Sequence, residues 1–223
     1  MNIMVLHMGR VGGHAIIEWI CQNLPGNVFF KNNCSRGWEK KRFNPKIGKT
    51  KNYSNEGNGD HLVLSIEDFY LPLWEKHKMG DWKIKFDHII AVIRSPKNWL
   101  ASSIAAGGWL TDYLGTTPDN EVVLPVNRID AYLYYFNGNF PNTYNFAINY
   151  DKWCNDISYR ESLSKTIFKK LIVKKPKHCK FSSFGKNHNY TGDRSLLLNE
   201  AQKKRFDNLY IGKLKIYQEK YFE

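Results

Sequence analysis

The chain has 223 residues, a length that suits one α/β domain with a full core, residues 1–223 read as a single unit. Its Lys and Arg outnumber its acids, 33 against 21, a net charge of +12 that points to an anionic partner: a polyphosphorylated cofactor, an acidic glycan or nucleic acid. No apolar run is long enough to span a membrane, and the four cysteines form no C-x-x-C pair, so neither a membrane span, a zinc site nor a disulfide scaffold is expected.

The first apolar run, Asn2 to His7, follows directly on Met1 with no basic leader before it, so a secretory signal is not read and the expected location is cytoplasmic, in a cell or an infected host. It has strand length and meets Met8-Gly9-Arg10-Val11-Gly12-Gly13-His14, after which apolar residues recur at helical spacing from Ala15 to Ile20. A strand, a glycine turn and a helix start together make an anion site. The glycines let backbone N–H groups approach a phosphate, and the first helical turn has donors that no carbonyl reaches. Gly9, Arg10, Val11, Gly12, Gly13, His14 and Ala15 are the candidate phosphate binders, Arg10 adding a permanent cation and His14 a ring nitrogen. The loop lacks the Lys and the Ser or Thr of G-x-x-x-x-G-K-[ST], so the clamp that a magnesium nucleotide needs is not there. A plain glycine turn between a core strand and a core helix is the alternative.

The helix is expected over 13–22, stopped by Asn23-Leu24-Pro25-Gly26, and Val28 to Phe30 reads as a short strand. Residues 31–60 lose all periodicity and read as a flexible insertion, a flap on the acceptor side. His61 to Ile66 is a buried strand ending in Glu67-Asp68. In open parallel sheets chemistry gathers beyond the carboxyl ends of the strands, so this acidic pair is a candidate for proton transfer; the alternative is a cap for a helix over about 69–79.

His88 to Ile93 reads as a central strand and delivers Arg94-Ser95-Pro96-Lys97-Asn98, with Pro96 suited to a first helical position and Ser102 further along the same helix. An Arg at a strand end and a hydroxyl on the helix that follows can converge on one phosphate. A tyrosine-rich helix over 126–136, a strand over 144–149, a helix over 158–173 and a basic amphipathic helix over about 199–222 complete the chain. Asp151 is read as the cap of the helix after the 144–149 strand.

Two of these stretches resemble PAPS-dependent sulfotransferases, of a small bacterial or viral type. The first loop is similar to the family's P-[KR]-[ST]-G-[ST]-[ST], with Arg10 and Gly12 at the basic and glycine positions, Gly9 in place of the proline, and Gly13 and His14 in place of the hydroxyl residues. Arg94, Pro96, Lys97, Asn98 and Ser102 match R-[DNS]-P-[KR]-[DN]-x-x-x-S, the 3′-phosphate motif, in register. Tyr150 to Trp153 resembles the Y-E-D-[LW] of the corresponding strand, whereas of the nucleotide-covering loop only Gly192-Asp193 is kept, leaving Lys186 and Arg194 as guesses for extra phosphate contacts.

The resemblance implies a three-layer α/β/α fold with a central parallel sheet, of the P-loop nucleotide-kinase type. It implies sulfuryl transfer from 3′-phosphoadenosine-5′-phosphosulfate (PAPS) to a hydroxyl or amine, leaving adenosine 3′,5′-bisphosphate (PAP), with no metal. Glu67 is then the expected base, with Asp68 second and His14 in reserve; Arg10 and His14 stabilise the departing phosphate, and Arg94 and Ser102 hold the 3′-phosphate. The acceptor, a glycan or a small molecule, is not named by any motif. Rival readings are a small-molecule kinase on the same core, a decayed sulfotransferase that only binds the cofactor, and a basic nucleic-acid-binding protein using Tyr132, Tyr134 and Tyr135 for stacking. The missing Lys and hydroxyl weigh against the kinase, and clustered helical tyrosines more often fill a core than stack on bases.

Overall fold

A computed structural model describes residues 1–7, 9–31, 60–67, 85–105, 146–176, 199–201 and 203–204. The expected helices over 69–79 and 126–136, Asp68, nearly all of the 31–60 insertion, the tyrosine cluster, Lys186, Arg194 and most of the C-terminal helix lie outside these residues. Five strands are described: β1 (Asn2–His7), β2 (Val28–Lys31), β3 (His61–Glu67), β4 (His88–Ile93) and β5 (Phe146–Asn149). Between and after them run α1 (Gly13–Asn23), α2 (Pro96–Ala105), α3 (Tyr150–Asn155) and α4 (Ile157–Phe168).

All pairings are parallel, in the order β2-β3-β1-β4-β5, so the expected α/β class with a central parallel sheet is what forms. Consecutive residues of a strand point to opposite faces, and Ile3, Met4, Val5 and Leu6 are all at most 1% exposed, so both faces of β1 are covered. That is why the strands read as unbroken apolar runs. β1 lies at the centre; the chain passes from it to β2 on one side, returns to β3 between β2 and β1, and then crosses to β4 and β5 on the other side. The carboxyl end of β1 is therefore the place where the winding changes sides, the usual position for a ligand crevice in such sheets.

α1 is buried nearly all round. Its Trp19 meets Trp153 of α3 edge-on, with ring centroids 5.9 Å apart, and Phe168 of α4 at 5.2 Å, which fixes the last two helices against the first. Buried Arg160 of α4 donates to the carbonyls of Trp153 (2.5 Å), Cys154 (3.1 Å) and Val173 (2.9 Å), satisfying the end of α3 without a carboxylate partner in that set.

Two local expectations are corrected. Asp151 does not cap the helix that follows β5: Asn149 does, its side chain accepting from the Lys152 amide at 3.1 Å, and Asp151 lies within the first turn. The helix expected over 158–173 is α4, which Asp156 starts by accepting from the Tyr159 amide at 3.0 Å, but it stops at Phe168, short of the expected end, because Lys169 takes the left-handed region with φ 56°.

Candidate functional site

The glycine-rich turn leaves the centre of the sheet and enters α1 through two left-handed residues, Arg10 with φ 72° and Gly12 with φ 91°. Gly12 accepts the first helical hydrogen bonds, from Ala15 at 3.0 Å and Ile16 at 3.3 Å. The amide of Ala15 is therefore already engaged, and those of Gly12 and Gly13 precede the first helical bond. No acid occupies the first turn of α1, so nothing on the helix itself competes for an anion at its positive end.

The turn has almost no room for side chains at its glycines. A Cβ on Gly12 would fall inside the ring of Tyr150, and one on Gly13 inside the ring of His7. Those two aromatic groups form the floor on which the loop rests.

The loop is also tied down from β4 and α2. Trp99, buried on α2, donates its indole N–H to the Gly9 carbonyl at 2.8 Å, and Arg94 Nη1 donates to the Arg10 carbonyl at 3.3 Å. In a trans peptide the C=O and the following N–H are antiparallel. Drawing these two carbonyls toward β4 and α2 turns the amides of Arg10 and Val11 the opposite way, as in anion-binding backbone nests. Replacing Trp99 by Phe removes the donor and leaves a loop carbonyl unsatisfied. The expected cost is about 1–3 kcal/mol, to be seen as a lowered urea midpoint with an unchanged denaturant slope.

Arg94 was expected to meet a phosphate. The structure places it at 3% exposure at the end of β4, with the Tyr150 ring 5.0 Å from its guanidinium carbon and Asp151 Oδ1 3.4 Å from Nε. Register explains the grouping. Ile93 pairs with Asn149, so the next residues of the two parallel strands, Arg94 with Tyr150 and Ser95 with Asp151, leave the sheet side by side. Ser95 starts α2, its hydroxyl accepting from the Asn98 amide at 3.4 Å, and Pro96 takes the first helical position as its ring favours. Ser102, further along α2, is buried at 7% exposure.

Of the candidate bases among the described residues, His14 lies in the first turn of α1 with its ring edge-on to His7, centroids 5.4 Å apart. Glu67 is the last residue of β3 and pairs in register with His7. His7, 1% exposed, is thus the common neighbour of both positions. It is a site residue that sequence reasoning passed over, although a titratable residue at the last position of a strand feeding a glycine turn is a readable signal. Tyr150, Trp99 and Asp151 were missed as loop supports for a different reason: their partners are distant in sequence.

The thiols of Cys21 and Cys154 are buried, and burial pushes both up, Cys21 further by the nearby Glu18, which disfavours the reactive thiolate. Among the described residues no group of three His, Cys, Asp or Glu is placed to hold a metal ion, and no helix is long and apolar enough to cross a membrane.

No family model and no curated protein matches the sequence. Among solved structures the chain is similar to mouse sulfotransferase SULT7A1 complexed with PAP, at 13% identity and a TM-score of 0.47, over 94% of this chain and 83% of that one.

Proposed function

We propose that the protein is a sulfotransferase that uses PAPS and transfers its sulfuryl group to a hydroxyl or amine of an acceptor. The observation that carries this reading is the meeting of two motifs remote in sequence. The glycine turn after β1 and the Arg94–Ser102 stretch after β4 are bound to each other by Trp99 and Arg94, at the carboxyl ends of adjacent strands. The donor set suits a 5′-phosphosulfate: a helix start without acids, backbone N–H groups turned away from the tied carbonyls, and Arg10 in the same loop.

The cofactor supplies the sulfuryl group, whose bond to the 5′-phosphate oxygen breaks as the acceptor's bond to sulfur forms. Glu67 takes the acceptor's proton, with His14 the alternative; both stand next to His7 at the mouth of the sheet. Arg10 and the amides of Gly12 and Gly13 stabilise the charge that gathers on the departing phosphate, as fixed donors do for other transferred groups. Arg94 and Ser102 are assigned to the 3′-phosphate side, with Arg94 also supporting the loop.

Thermal unfolding with PAP, with ADP and with magnesium ATP tests the reading. A ligand at about one hundred times its Kd adds about 2.7 kcal/mol to stability. A clear rise in melting temperature with PAP, larger than with either of the others, is expected. A rise with magnesium ATP alone would overturn the sulfotransferase reading in favour of a kinase, and no rise with any of the three would remove the nucleotide.

A further inference from the structure

Asp151 is not the cap of its own helix, since Asn149 already caps α3. Its carboxylate crosses instead to the corner between β4 and α2. Oδ2 accepts from the Ser95 amide at 2.7 Å, and Oδ1 accepts from Asn98 Nδ2 at 3.2 Å and from Arg94 Nε at 3.4 Å. The shortest of these contacts is to a backbone amide, so the carboxylate is held chiefly by the start of α2, and the guanidinium is then oriented against it. On the other side Tyr150 presents its ring to the same guanidinium, and Nη1 is engaged by the Arg10 carbonyl. A planar guanidinium fixed at Nε, at Nη1 and over one face has no rotation left.

We propose that Asp151 is a positioning residue for recognition of the cofactor's 3′-phosphate: it sets the orientation of Arg94, and with it the Ser95 amide and Asn98, without touching the ligand itself. The proposal rests on the function proposed above. It carries a definite consequence, because a negative charge this close to a phosphate site would by simple electrostatics weaken anion binding. If orientation dominates, removing the carboxylate lowers the 3′-phosphate preference; if repulsion dominates, removing it raises that preference.

The test is calorimetric titration of the full chain with adenosine 3′,5′-bisphosphate and with adenosine 5′-monophosphate, ligands that differ only in the 3′-phosphate. Asp151→Asn keeps the shape and removes the charge. Asn98→Ala leaves Asp151 in place, removes one of its three holds, and serves should Asp151→Asn fail to fold. The affinity ratio of the two ligands is expected to fall by about tenfold in Asp151→Asn, the scale of one misplaced charge-assisted hydrogen bond. A smaller fall is expected in Asn98→Ala, with monophosphate affinity nearly unchanged in both. A purely structural role would weaken both ligands alike and leave the ratio unmoved, and a guarding role would raise it; either result overturns the proposal. A wild-type protein that does not distinguish the two ligands would overturn the function proposed above together with this inference. A wild-type preference that survives both substitutions would overturn the role of Asp151 alone.

Discussion

Gly12→Ala is expected to be among the most damaging single substitutions in the chain, lowering stability by about 2–5 kcal/mol. The figure joins two separable costs. A non-glycine residue held in the left-handed region, here φ 91°, costs about 1–2 kcal/mol. Forcing a methyl into packed space costs about 1–3 kcal/mol more, and the space in question is the ring of Tyr150. Tyr150 cannot retreat easily, since it is 7% exposed, stacks on Trp153 with centroids 5.8 Å apart, and lies under Arg94. Against a total stability of about 5–15 kcal/mol, a loss of this size brings the protein close to unfolding at growth temperature. Urea unfolding of Gly12→Ala, Tyr150→Leu and the double variant measures the two parts. The double variant should recover the packing share and leave the backbone share, so a coupling energy near zero would show that Tyr150 does not support the loop.

The same residues show what was legible from the sequence. β1, the glycine turn and α1 could be read directly, because local geometry writes itself into local composition: apolar residues at every position of a strand covered on both faces, and glycine where φ is positive. The β4–Arg94–Pro96 corner was legible for the same reason. What could not be read was partnership across the sheet. Nothing near Asp151 announces that its acceptors are filled from Ser95 and Asn98, because that follows from β5 pairing with β4 in one register, Ile93 beside Asn149. An acid at the start of a helix reads as a cap, and only the presence of Asn149 just before it, a better placed cap, argues otherwise. Strand order was invisible in the same way, and it is the order that sets His7 between Glu67 and Val92. Arg94 illustrates the limit from the other side. Its motif marks it as a candidate phosphate contact, and nothing in the motif tells that it supports the loop from within.

That double position makes Arg94 the second place where a large effect is expected. Arg94→Ala removes the donor to the Arg10 carbonyl and leaves Asp151 facing the Ser95 amide and Asn98 alone. Breaking a fully buried ion pair costs about 3–5 kcal/mol. Here the cost should fall toward the lower end, because the pair is separated by 3.4 Å and Asp151 retains 16% exposure. Arg94→Lys separates charge from shape. A lysine keeps a cation near Asp151, but one ammonium cannot reach the Asp151 carboxylate and the Arg10 carbonyl together, nor lie flat on the Tyr150 ring. The lysine variant should therefore unfold at a urea concentration between those of wild type and Arg94→Ala, while losing the PAP-induced rise in melting temperature as completely as the alanine variant does. If lysine preserved that rise, positive charge alone would be sufficient at the end of β4, and the oriented guanidinium that links the loop, Tyr150 and Asp151 would have no part in binding.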